Sequence, residues 1–366
     1  MNRETTQPNA AKVPGVAFFN DSLRDAIKGS VFSDEDTGFI TGKTGKENLI
    51  ATNLVACDNT RDGIDDTGHC SNGTADTGYA SADQVVQYVE IHDNLTLYDK
   101  LVKSAPDDTE ETRAARAKLA DSLIFLSQGI TDMQFGQEFL RTKGGNGNSY
   151  NAGDAVNAID WTRTVDQADM VDYVRGLIAL RKSIGALHLT SYDDIAERMT
   201  IIRQADGVVA YRLTDGGDTY VVAFNANDDA VTLDGIAAGD YAALVSGGSV
   251  FSEKTAATVT VGDDGATTIG ALSATVLKAV KAGQPDKPTD PTDPTDPSEP
   301  VQPGAGDDGD GKTDADSKAD AKADGGKVGT LSATGSSVAT AMGVAFAMLA
   351  AGMASFAIAR RSRRRG

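Results

Sequence analysis

Along the first 190 residues the apolar positions come as short runs that end in polar residues, each followed by a helix-like stretch. Val16–Phe19 is such a run; it ends in Asn20-Asp21 and leads into Leu23–Lys28, closed by Gly29. Val85–Ile91 is β-branched and apolar and leads into His92-Asp93-Asn94. Asp107 to Glu111 reads as a helix start, with an acidic first turn and Asp108 three residues before Glu111 as a capping box, and the helix is expected to run to about Ser127. Gly129–Phe135 reads as a third strand, followed by Gly136-Gln137-Glu138. Between Asp166 and Ile184, Met170, Tyr173, Val174, Leu177, Ile178 and Arg181 recur at helical spacing, with Gly185 expected at the C-cap. Strand then helix, with polar residues at each strand's C-terminal end, is the pattern of a β/α barrel, whose chemistry sits at those ends. About three such strands are present where a closed barrel needs eight.

From residue 198 the period changes. Met199–Arg203, Val208–Leu213, Thr219–Phe224, Tyr241–Val245, Ala257–Val261 and Ala274–Ala279 are short β-prone runs separated by turn signals such as Asp206-Gly207 and Asp215-Gly216-Gly217. They predict a small antiparallel β-sandwich.

The pattern changes again after residue 283. A Pro-Thr-Asp repeat predicts an extended spacer, and the Gly/Ala/Asp/Lys stretch to residue 327 has nothing large and apolar to bury. Ser336–Ala359 is a run of 24 small or apolar residues, long enough for a membrane-crossing helix. Arg360, Arg361, Arg363, Arg364 and Arg365 follow at once and set a cytoplasmic C-terminus. Met1–Pro8 has no apolar run of a secretory leader. An outward-facing anchor calls for one, so an N-terminal part of the gene product is expected to be missing.

Charge narrows the function classes. The 366 residues carry 34 Lys and Arg against 53 Asp and Glu, a net of −19, which argues against a nucleic-acid partner. Cys57 and Cys70 lie in a Gly/Asp/Asn-rich stretch; one loop-closing disulfide suits an exported protein, and two free loop thiols is the other reading. The three histidines, His69, His92 and His188, have no metal-ligand spacing. No cofactor or metal is called for. Asp58–Asp66 loosely resembles a calcium loop but lacks the closing Glu, and an exposed acidic turn is the plainer reading.

Three ordered motifs resemble one family. Val16–Gly29 (VAFFNDSLRDAIKG) resembles the sixth-strand segment of type I pullulanases, in the α-amylase superfamily, glycoside hydrolase family 13. Tyr88–Leu101 (YVEIHDNLTLYDKL) resembles their seventh-strand motif. Gly136–Asn146 with Asn148-Ser149-Tyr150-Asn151 and Asn157-Ala158-Ile159-Asp160-Trp161 resembles the segment after their eighth strand. The resemblance implies an α/β plus β fold. Residues 1–190 would be the C-terminal part of a (β/α)8 TIM barrel, 195–282 a β-sandwich, 283–330 a disordered spacer, and 331–366 a tail with one transmembrane helix. It also implies retaining hydrolysis of α-1,6-glucosidic bonds in pullulan, starch or limit dextrins. Asp93 would then be the carboxylate that stabilises the transition state and His92 would bind the same sugar's hydroxyls. Asn94, Arg141, Asn148 and Tyr150 would line the cleft. Neither the nucleophile nor the general acid has a match; Glu90 is read as lying inside the strand and Glu138 as structural. The chain alone is therefore expected to be inactive, with 14–190 unstable by itself and 195–281 able to fold.

Leu331-Ser332-Ala333-Thr334-Gly335, ahead of the apolar span and the Arg tail, resembles a sortase sorting signal in which Ser332 replaces the usual Pro. It implies cleavage between Thr334 and Gly335, with sortase and peptidoglycan as partners, membrane contact before processing, and a cell-surface body. The competing reading is a non-catalytic, wall-anchored module that binds α-glucan or merely displays the sandwich.

Overall fold

The computed structural model describes residues 7–58 and 78–281. The spacer, the sorting signal, the apolar span 336–359, Cys70 and residues 59–66 of the acidic loop lie outside the described residues. Among the described residues no helix is long and apolar enough to cross a membrane.

The first layer is a parallel three-stranded sheet in the order β1 (Phe18–Phe19), β2 (Val85–Gln87), β3 (Ile130–Thr131). Phe18 pairs with Val85, and Val86 with Ile130. The strands are shorter than the apolar runs suggested. Tyr88, Val89 and Glu90 are buried, but their backbone has left the ladder, because β3 is two residues long and offers no further partner. Helices follow the strands: α1 (Asp21–Lys28) and α2 (Glu47–Leu54) after β1, α3 (Leu97–Ser104) and α4 (Glu110–Phe125) after β2. After β3 come two single turns, α5 (Asp154–Asn157) and α6 (Arg163–Asp166), then α7 (Ala168–Ser183) and α8 (Tyr192–Arg198).

Side chains tie these short elements together. Asn20 caps α1 by accepting from Leu23 N–H at 3.3 Å, and its amide donates to Asn53 Oδ1 (2.7 Å) and Gln87 Oε1 (2.8 Å), so one buried residue joins α1, α2 and β2. Gly29, after α1, has φ +87°, and a Cβ there would lie 2.3 Å from the Asp36 carbonyl, so a side chain is excluded twice over. Arg116 on α4 donates to the Ile40 carbonyl at 2.6 Å and pairs with Asp108 at 2.7 Å and Asp228 at 3.2 Å. Arg181 on α7 donates to the carbonyls of Phe125 (2.7 Å), Ser127 (2.6 Å) and Gly129 (2.7 Å), closing the C-terminus of α4 where orphan carbonyls collect. Burial brings its pKa down to about 10.

Two caps differ from expectation. Thr109, not Asp108, caps α4, accepting from Thr112 N–H at 3.2 Å, while Asp108 is engaged by Arg116. Ile184, not Gly185, holds the C-cap of α7; Gly185 opens a short 3-10 turn and donates to Asp215 at 2.7 Å.

The second layer is a seven-stranded antiparallel sheet, ordered β10-β8-β12-β6-β5-β4 with β9 on β8. Its strands are β4 (Met199–Ala205), β5 (Val208–Asp215), β6 (Asp218–Asn225), β8 (Gly239–Ser246), β9 (Ser249–Val250), β10 (Ala257–Val261) and β12 (Ser273–Ala279). A separate pair, β7 (Val231–Leu233) with β11 (Thr267–Ile269), covers part of one face. All six anticipated strands are present. The other face packs on helices: Val209, Tyr211, Leu213, Val222, Phe224 and Val276 share one buried cluster with Leu23, Leu54, Leu123 and Leu177. Val208, Ala210, Val221, Ala223 and Leu277 point the opposite way, toward Leu233 and Ile269. The period of two thus puts one side of β5 and β6 under the small pair and the other on helices.

Candidate functional site

The candidate site gathers on the loops that follow β2 and β3. His92 and Asp93 are largely exposed, at 75% and 72%, with Nε2 and Oδ2 3.4 Å apart. Asn94 takes φ +68°, a left-handed conformation that Asn tolerates, and turns the chain into α3. Thr96 caps that helix by accepting from Asp99 N–H at 3.0 Å.

Beneath the loop sits Glu90, 2% exposed, accepting from Leu97 N–H at 2.7 Å. It is placed after β2, not inside the strand as the apolar run suggested. Burial pushes its carboxyl up to about 7, against the pull of the Leu97 amide and the charges of Lys28, Lys143 and Arg141. Its neighbour Lys28, wholly buried, is driven down to about 8 by desolvation. Asp121 on α4 is raised well above the ordinary carboxyl range by burial, with Glu90 and Glu138 adding repulsion. Its Oδ2 and Gln137 Oε1 are both buried without a hydrogen-bond partner, while Gln137 donates to Asp121 Oδ1. Glu138 accepts from Gly136 N–H at 2.8 Å and so holds the turn after Phe135.

The loop after β3 is fastened to this floor. Asp99 accepts from Thr142 Oγ1 and, at 2.8 Å, from Lys143 N–H, and Lys143 Nζ donates to the His92 carbonyl at 3.2 Å. Gly147 lies against the Asn94–Leu95 backbone; a Cβ there would approach Leu95 N to 3.4 Å. His92, Asp93, Asn94 and the 142–148 loop are therefore one surface. Asn148 is exposed, its N–H donating to Asn146 Oδ1 at 2.9 Å. Arg141 is half-buried: Nη2 donates to the Asn157 carbonyl at 2.7 Å, and Nε is buried with no partner. Tyr150 stands out in solvent at 81% exposure.

Cys57 is disulfide-bonded; Cys70, the chain's other cysteine, is outside the described residues. Asp58, the first residue of the acidic loop, is buried rather than exposed. Among the described residues no group of three or more His, Cys, Asp or Glu could hold a metal ion.

Sequence reading missed an aromatic cluster on the same rim. Phe135 and Trp161 are 50% and 63% exposed, with ring centroids 5.7 Å apart. Both rest on buried Phe139. The one signal for it was the chain's single tryptophan, which lies within one of the three ordered motifs.

No family model matches the chain. The pullulanase of Bacillus subtilis (strain 168) is 34% identical over 209 residues, covering 57% of this chain and 27% of that protein. Pullulanase A of Streptococcus pneumoniae is 30% identical over 269 residues, covering 59% of this chain and 20% of that protein. The crystal structure of pullulanase from Paenibacillus barengoltzii, in complex with maltohexaose and α-cyclodextrin, matches with a TM-score of 0.64 at 34% identity, over 75% of this chain and 40% of that one. Over about 60% of its length the chain is thus homologous to pullulanases, which are glycoside hydrolases. It spans between 20% and 40% of the length of these relatives.

Proposed function

We propose that this chain forms part of the substrate cleft of a pullulanase-type glycoside hydrolase that cleaves α-1,6 bonds in α-glucans with retention. Asp93 is the carboxylate that accepts from the sugar's hydroxyls and favours positive charge at the ring in the transition state. His92 binds the same sugar. Asn94, Arg141, Asn148 and Tyr150 line the approach. The observation that carries this reading is Asp93 itself: an exposed carboxylate just beyond β2, on a loop pinned by Glu90 and Lys143, in a chain homologous to pullulanases over about 60% of its length.

Retaining hydrolysis needs a nucleophile and a general acid about 5 Å apart. Glu90 is buried beneath the loop and holds the Leu97 amide, and Glu138 holds the Gly136 turn, so both are read as structural and not as this pair. The reading is that this chain binds α-glucan and does not turn it over by itself. Isothermal titration with maltoheptaose and a reducing-sugar assay on pullulan test both halves. Binding that Asp93→Asn weakens, with no sugar released, is expected. Absence of binding removes the cleft assignment, and release of sugar removes the proposed inactivity.

The tail is proposed to be a wall-sorting signal cut between Thr334 and Gly335, which would display the body at the cell surface. Its support is the order pentapeptide, apolar span, Arg cluster. Release of the protein from cell walls by muramidase, lost on deletion of 331–335, is the expected result. Release that survives the deletion would refute it.

A further inference from the structure

We infer that Phe135 and Trp161 form a stacking platform for a glucose unit of an α-glucan chain, on the same rim as Asp93 and separate from it. This rests on the α-glucan reading above and adds where the chain's arm is held.

Two large aromatic rings, half or more exposed, are held rigidly. Phe135 stands edge-on to Phe139 at 5.9 Å and 83°, and Trp161 tilts over Phe139 at 6.4 Å and 37°, with Phe139 itself 2% exposed. Their mountings are fixed by hydrogen bonds. Gly136, at φ +100°, turns the chain directly after Phe135 and donates to Glu138 at 2.8 Å. Asp160 accepts from Thr162 N–H (3.0 Å) and Oγ1 (2.6 Å), and Thr164 donates to the Trp161 carbonyl at 2.7 Å. Arg163 donates to the Leu140 carbonyl at 2.6 Å, clamping the Trp161 loop to the Phe135 loop.

Exposed apolar rings beside a few convergent polar groups mark a binding surface. A neutral sugar is the occupant that fits. Its C–H face suits the electron-rich face of a ring, and its hydroxyls need donors and acceptors at the edge. The half-buried Arg141 side chain packs on Gly136, next to Phe135, and brings its guanidinium to that edge. Asp160, next to Trp161, supplies acceptors. A net charge of −19 disfavours anionic ligands and anionic membranes. The two ring planes meet at 62°, which suits a chain that turns from one unit to the next, as α-linked glucose does, rather than a flat one. Arg141 is also the link to the first site, since its charge acts on Glu90 beneath the Asp93 loop.

Trp161 is the only tryptophan, so emission from the full chain reports on this platform alone. Titration with maltoheptaose should change that emission saturably, with the dissociation constant found by calorimetry. Phe135→Ala should weaken binding about tenfold. Phe135→Leu, which keeps apolar bulk on Phe139, should weaken it as well, and Phe135→Tyr should not. Calorimetric binding with unchanged Trp161 emission and wild-type affinity in both weakened variants would overturn the platform and leave the α-glucan reading standing. No heat and no change in emission would overturn both. An equal response to cellohexaose would overturn the assignment to α-linked chains.

Discussion

The segment that carries the site and the seven-stranded sheet are held together by different means. Of the 26 buried polar or charged residues among those described, 23 precede residue 190 and only Asn225, Ser273 and Thr275 belong to the sheet region. The sheet closes on its own ladders, with β5 and β6 paired over eight positions from Val208↔Asn225 to Asp215↔Asp218. The parallel strands pair over two positions at a time, so Asn20, Gln87, Arg116 and Arg181 tie the chain where ladders would elsewhere. The lesson is that a region can present a loop-built site while relying on a few buried side chains, and single substitutions should strike it hardest.

Arg181→Ala should have the largest effect. It strands two buried carbonyls and one half-buried carbonyl, a loss of about 3 kcal/mol by chemical denaturation. A cost below about 1 kcal/mol, the size of one ordinary hydrogen bond, would break the contrast.

Glu90 gives the next effect, through pH. Its carboxyl sits at about 7 instead of 4.5, so the native state keeps a proton that the unfolded chain releases. Its stabilising contribution is complete below the ordinary carboxyl range and is lost as pH rises to about 7, roughly 2 kcal/mol across pH 5 to 7. Glu90→Gln should flatten melting temperature against pH over that range. Asp121, raised by burial too, leaves a residual slope of the same sign. An unchanged profile in Glu90→Gln would place the titration elsewhere.

Gly29→Ala should cost about 1–2 kcal/mol, because it forces a left-handed alanine against the Asp36 carbonyl. Tyr211→Phe should cost about 1 kcal/mol. It removes the bond from the sheet to the Leu126 carbonyl but leaves the ladders and the shared apolar cluster intact. If it cost more than Arg181→Ala, the two regions would depend chiefly on their junction.

The same contrast governs what the sequence revealed. β-prone runs of five to eight residues bounded by turn signals made β4, β5, β6, β8, β10 and β12 visible, whereas β7 and β11, three residues each, are too short to stand out as runs. In Val85–Ile91 the apolar signal was real, since Tyr88 and Val89 are buried, but burial there does not come from strand pairing. His92-Asp93-Asn94 could be read because its residues are consecutive. The Phe135, Phe139, Trp161 cluster could not, because its rings meet only after the 139–161 segment folds back. The Glu90–Lys28 neighbourhood was hidden for the same reason.

Hydrogen exchange of the full chain, with and without saturating maltoheptaose, tests the central claim most directly. Protection should rise at residues 92–97, 133–137 and 141–150 and stay unchanged through 199–279. Protection confined to the sheet, or none at the loops after β2 and β3, would contradict an α-glucan site on those strand ends.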